Sequence, residues 1–72
     1  MKIISHKYKS LSKSECGRNS VEIFEYCSKY HVRLYGSGNN FVDFYIGESI
    51  QDSNFVYSQL VQLINSYGQG DY

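Results

Sequence analysis

The residues here whose chemistry could be covalent or metal-binding are Cys16, Cys27, His6 and His31. Cys27 and His31 stand four apart, and with His6 and Cys16 they would complete a Cys2His2 set of the kind that holds zinc. Structural zinc sites usually draw on two closely spaced ligand pairs, however, and Cys16 has no near partner. A Cys27–His31 nucleophile pair fails on a related ground. The pattern read below puts Cys27 on an apolar helix face, where a thiol stays protonated and inert. The carboxylates are scattered one to an element and not paired for acid–base work. Gly36-Ser37-Gly38 follows a strand-like run without opening a helix, and no lysine comes after it, so the phosphate-loop pattern is missing. The expectation is a protein without metal, cofactor or catalytic activity.

A second set of residues suits recognition. Runs 31–36 (HVRLYG) and 41–46 (FVDFYI) are β-rich, and the Gly/Asn-rich segment 36–40 between them tolerates positive φ, so they read as a hairpin. Side chains alternate along a strand. Val32 and Leu34 should therefore share the core face with Val42, Phe44 and Ile46. The opposite face then gathers Arg33, Tyr35, Phe41, Asp43 and Tyr45, a partner-binding set rich in the residue types favoured at interface hot spots. The competing reading is that another segment, such as loop 10–19, covers this patch.

The elements that would position these residues follow from periodicity. Residues 2–9 alternate as a strand, and residues 10–19 are polar with a glycine, as a loop. Over 20–31, Ile23, Phe24, Cys27 and Tyr30 fit one helical face and Glu22, Glu25, Ser28 and Lys29 the other, although EIFEYC also resembles a strand. Asn19 and Glu22 resemble a capping box, and Glu25 and Lys29 a favourable i,i+4 pair. The clearest helix spans 53–67, capped by Asp52 or Ser53 and ended by Gly68. Its apolar stripe is Val56, Tyr57, Leu60, Leu63, Ile64 and Tyr67, and its other face is polar but uncharged. Residues 69–72 read as a frayed tail. The order is βαββα: an α+β domain in which a small antiparallel sheet of about three strands packs against two helices.

Size and charge narrow the function classes. Seventy-two residues make one small domain, able to hide only about 60% of its unfolded surface and seldom able to form a deep pocket. Eight tyrosines cannot all be fully buried, because each hydroxyl needs water or a partner. Net charge is zero, but Lys2, Lys7, Lys9, Lys13 and Arg18 crowd the first eighteen residues against Glu15, and no basic residue follows Arg33. Such a polarised chain steers partners by its field. Met1–Lys13 has no apolar core of a signal peptide, and no run approaches a membrane span. A cytoplasmic protein with free thiols and no membrane association is expected.

The function expected is therefore that of a small regulatory or inhibitory protein that binds a larger protein. Ala, Thr, Pro and Trp are absent, a skew resembling that of AT-rich phage or mobile-element genes, so an anti-defence or host-takeover factor fits by association. The alternative is an RNA- or DNA-binding module that stacks bases on the aromatic face and holds phosphates with the basic N-terminal stretch. The acidic second half would repel a phosphate backbone. The uncharged face of the last helix also suits homodimer formation.

Overall fold

A computed structural model describes residues 7–70, with side chains described as far as Ser66. Four strands, β1 (Tyr8–Cys16), β2 (Asn19–Tyr26), β3 (Lys29–Tyr35) and β4 (Phe41–Gly47), form one antiparallel sheet in sequential order, followed by helix α1 (Ile50–Gly70). The fold is α+β, as the sequence indicates, but with four strands and one helix in place of about three strands and two helices.

The difference lies in residues 10–31. The segment read as a first helix is β2, the turn after it and the start of β3. The loop read at 10–19 is most of β1 and the β1–β2 turn. Val21, Ile23 and Phe24 are all buried, the first two beneath α1 and the third on the other face. A strand buried on both sides is apolar without clean alternation, and here it coincides with a helical template. Two tight turns hide in this region. Gly17, at φ 62°, occupies the first position of the Gly17-Arg18 turn, where type II′ hairpins favour glycine. Cys27 and Ser28 form the other turn with φ of 53° and 68°. Both central residues of a type I′ turn need positive φ, and neither Cys nor Ser advertises it. Cys27 is thus an exposed turn residue and not part of a helix core. The strand read at 2–9 falls largely outside the described residues.

The core sits on one face of the sheet. Val21, Ile23 and Val32 meet Leu60 and Ile64 of α1, with Leu34, Tyr45, Val56, Tyr57 and Val61 packed around them. Ser53, fully buried, lets the first turns of the helix approach the strands and returns its hydroxyl to the carbonyl of Ile50 at 2.8 Å. The Tyr57 hydroxyl lies within hydrogen-bond distance of Ser12 (3.1 Å) and Ser14 (2.9 Å), tying the helix to β1. The helix starts earlier than its sequence signals suggest. Ser49 is the cap: its side chain accepts from the Asp52 amide and its carbonyl from the Ser53 amide. Gly68 does not end it. Leu63, placed in the apolar stripe by spacing, is 44% exposed and lies off the buried seam. No described helix is long and apolar enough to cross a membrane.

Leu60 is 6% exposed at the centre of this core, while Gln62 faces solvent. Leu60→Ala is expected to cost about 2–5 kcal/mol and Gln62→Ala less than about 0.5 kcal/mol in denaturant unfolding. Equal losses would contradict the helical register.

Candidate binding surface

The face without a helix is organised in rows that cross the strands. Register aligns Lys13, Glu22, Arg33 and Asp43 as direct neighbours, so charge alternates across all four strands. Opposite charges at adjacent cross-strand positions attract. On one side of this row lie Ser10, Phe24, His31 and Ile46, and on the other Glu15, Ser20, Tyr35 and Phe41.

Glu22 is 5% exposed. Among the described residues no cation bonds it directly. Tyr8 and Ser10 donate their hydroxyls to Oε2, the latter at 2.7 Å, and Tyr35 donates to Oε1 at 3.1 Å. Burial alone would push this carboxyl up, but the hydroxyls of Tyr8, Ser10 and Tyr35 outweigh it, and Lys13 adds to them, so the group is held below the usual range. In return, the hydrogen bond to Glu22 raises the Tyr8 hydroxyl, with help from burial.

Arg33 is locked beside it. Its Nε donates to Asp43 Oδ1 at 2.7 Å and its Nη2 to Oδ2 at 3.2 Å, a side-on bidentate pair with both side chains about three-quarters covered. The bond to Asp43 raises the guanidinium further above its already high value, against the effect of burial. The cation lies over the rings of Phe41 (4.1 Å) and Phe24 (5.0 Å), with Tyr35 at 5.9 Å. Tyr35 and Phe41 meet with centroids 6.0 Å apart, and Lys13 reaches over Tyr35 at 5.7 Å. Phe24 is only 3% exposed although no helix covers it. His31 stacks on it at 4.9 Å and Tyr8 tilts against it at 5.2 Å.

Of the five residues assigned to the binding set from sequence, Arg33, Tyr35, Phe41 and Asp43 lie together on this face. Tyr45 does not. A bulge between the Arg33–Asp43 and Val32–Tyr45 pairs inserts Phe44, and alternation reverses from there. Tyr45 therefore packs against the core on the helix side, and its hydroxyl accepts from the Ser49 amide at 3.1 Å. Gly47 leaves room for that ring, because a Cβ there would come within 2.6 Å of the Tyr45 hydroxyl. The same bulge sends Ile46, expected in the core, to the other face with 56% exposure, and leaves Phe44 50% exposed. Val42 stays on the helix side but is 56% exposed beyond the helix's cover.

Tyr8, Ser10, Lys13, Glu22 and Phe24 complete the surface and were not legible as part of it, since their segments read as a different strand, a loop and a helix. One signal was available: a glutamate centred in a run rich in Val, Ile, Phe and Tyr. As for metal, Cys16 packs at the core edge, Cys27 lies in a turn, and His6 falls outside the described residues. Among the described residues no group of three or more His, Cys, Asp or Glu side chains is placed to hold an ion.

A carboxyl whose folded pKa is depressed stabilises the fold fully above its unfolded value of about 4.3 and loses that contribution as pH falls through the folded value. Stability should thus fall in acid below about pH 4 in part because Glu22 protonates. Glu22→Gln should lower stability at pH 7 and flatten this acid-side dependence, as read by denaturant unfolding across pH 2.5–7. An unchanged slope would show that Glu22 is not the group responsible.

No family model, curated protein or solved structure matches the chain.

Proposed function

We propose that this is a small non-enzymatic binding protein that docks the Arg33–Tyr35–Phe41 surface onto a larger protein and thereby regulates or inhibits it. One observation carries the reading: the guanidinium of Arg33 is held by Asp43 and laid 4.1 Å over Phe41, while Phe41 remains 50% exposed. A patch of ring and guanidinium already fixed in place loses little side-chain entropy on binding. Arg and aromatic anchors are also the side chains from which interfaces draw most of their energy. The charged groups at its centre support a binding role over acid–base chemistry. Glu22 is committed to three hydroxyls and Asp43 to Arg33. Occlusion of a partner's surface by a body this small suits an inhibitor, and the composition agrees with a phage or mobile-element origin by association alone.

Nucleic acid is the second reading, favoured by exposed Lys7 and Lys9, which flank Tyr8 in sequence, and by Lys13 over Tyr35. Arg33 argues against it, since its charge is already answered by Asp43. Aromatic access is also limited, with Phe24 sealed beneath its neighbours.

Phe41→Ala tests the reading most cleanly, because its ring is half exposed and carries no hydrogen bond. The variant should keep stability within about 1 kcal/mol of the parent. It should weaken a partner captured from nuclease-treated lysate by about 2 kcal/mol, read by calorimetry on the purified complex. Tyr45→Ala should instead destabilise the fold. Undiminished binding by a folded Phe41→Ala protein would remove the site from this face. A steep loss of affinity with salt would point to phosphate contacts and the nucleic-acid reading.

A further inference from the structure

The two edges of the sheet are built differently. β1 ends the sheet with exposed Lys9, Lys13 and Glu15, charges that deter another strand from pairing, while a bulge interrupts both edges, at Leu11 in β1 and at Phe44 in β4. β4 ends it without an exposed charged side chain. Its one charged side chain, Asp43, is neutralised within the subunit by Arg33. Phe41, Val42, Phe44 and Ile46 are 50–56% exposed along it, and among the described residues β4 pairs only with β3. An edge with unpaired backbone groups, apolar side chains and no net charge offers pairing to a strand of the same character.

We infer that β4 pairs antiparallel with β4 of a second copy, joining two four-stranded sheets across a two-fold axis. The chain supplies its own best occupant. A charged partner strand would find nothing on β4 to answer its charge, whereas β4 is itself extended, apolar and electrically neutral with its Arg33. Self-pairing about a two-fold must also match faces, since residues directly opposite share a side of the sheet. The register that does so sets Phe41 opposite Ile46 on the face without a helix and Val42 opposite Tyr45 on the helix face. The bulge at Phe44 makes this possible. Without it, Phe41 and Ile46 would lie on opposite faces of the strand. Each Asp43 keeps its own Arg33, so no uncompensated charges meet at the axis. The pairing places two Arg33–Tyr35–Phe41 surfaces on one side of a continuous sheet. It goes beyond the partner-binding reading and does not depend on it, because it concerns the purified chain alone.

A seven-residue edge buries little area, so the dimer should be concentration dependent. Sedimentation equilibrium of the purified chain between about 10 μM and 1 mM should show monomer converting to dimer. Val42→Lys and Ile46→Lys, both at exposed positions, should each weaken association at least tenfold while circular dichroism shows a folded protein. Leu63→Lys, on the outer side of α1, should leave it unchanged. Amide exchange within Phe41–Gly47 should slow as concentration rises, which reports the pairing in the unaltered chain even if a lysine variant fails to fold. A monomer throughout the range would overturn the inference. So would a dimer lost with Leu63→Lys but kept with both β4 variants, or β4 amides whose exchange ignores concentration.

Discussion

Glu22 holds its carboxylate near the middle of β2 with almost no solvent and, among the described residues, no directly bonded cation, and the face without a helix is arranged around that fact. A buried carboxylate left without partners would shed its charge or unfold its surroundings. Here three hydroxyls from β1 and β3 close on its two oxygens, so each hydrogen bond also ties a neighbouring strand to β2. Arg33, next in the row, is turned away to Asp43 on β4. The alternation Lys13, Glu22, Arg33, Asp43 thus runs through all four strands and fixes their register on this face, as apolar packing fixes it on the other. A slip of one residue would carry Glu22 into the apolar core beneath α1.

Two different solutions therefore protect the two faces of one sheet. On the helix side, Val21, Ile23 and Val32 are covered by Leu60 and Ile64 in ordinary apolar packing. A single helix cannot cover the other side as well. There the sheet covers itself, with Arg33, His31 and Tyr8 laid over Phe24. Cation–π contacts of this kind contribute about 0.5–2 kcal/mol, more where water is excluded. Self-coverage leaves the outer rim, Phe41 above all, half exposed and already positioned. The surface proposed to bind a partner is the part of this cover that its neighbours do not finish.

The sequence was legible where one face is buried and turn residues are conventional. The 31–36 and 41–46 hairpin with its glycine-rich loop, and the inward Val56, Tyr57, Leu60 and Ile64 of the C-terminal helix, follow from period and turn chemistry. It misled where both faces of a strand are buried, since Ile23 and Phe24 side by side satisfy a helix as well as a β2 strand. It misled again where backbone geometry carries no side-chain signal. Cys27 and Ser28 take up positive φ without glycine or asparagine, and the extra residue at Phe44 reverses every face assignment after it. Alternation holds through Arg33, Tyr35, Phe41 and Asp43, and that one bulge puts Tyr45 and Ile46 on the faces opposite to those the period predicts.

The face lacking a helix is a packed layer in its own right, with Phe24 as its centre. Guanidinium unfolding of Phe24→Ala against the parent tests it directly. A ring sealed beneath Arg33, His31 and Tyr8 should cost about 3 kcal/mol or more on removal, a large share of the stability of a domain of this size. A variant that stays folded with a midpoint close to the parent's would show that Phe24 faces solvent and that the layer described around Glu22 and Arg33 does not exist.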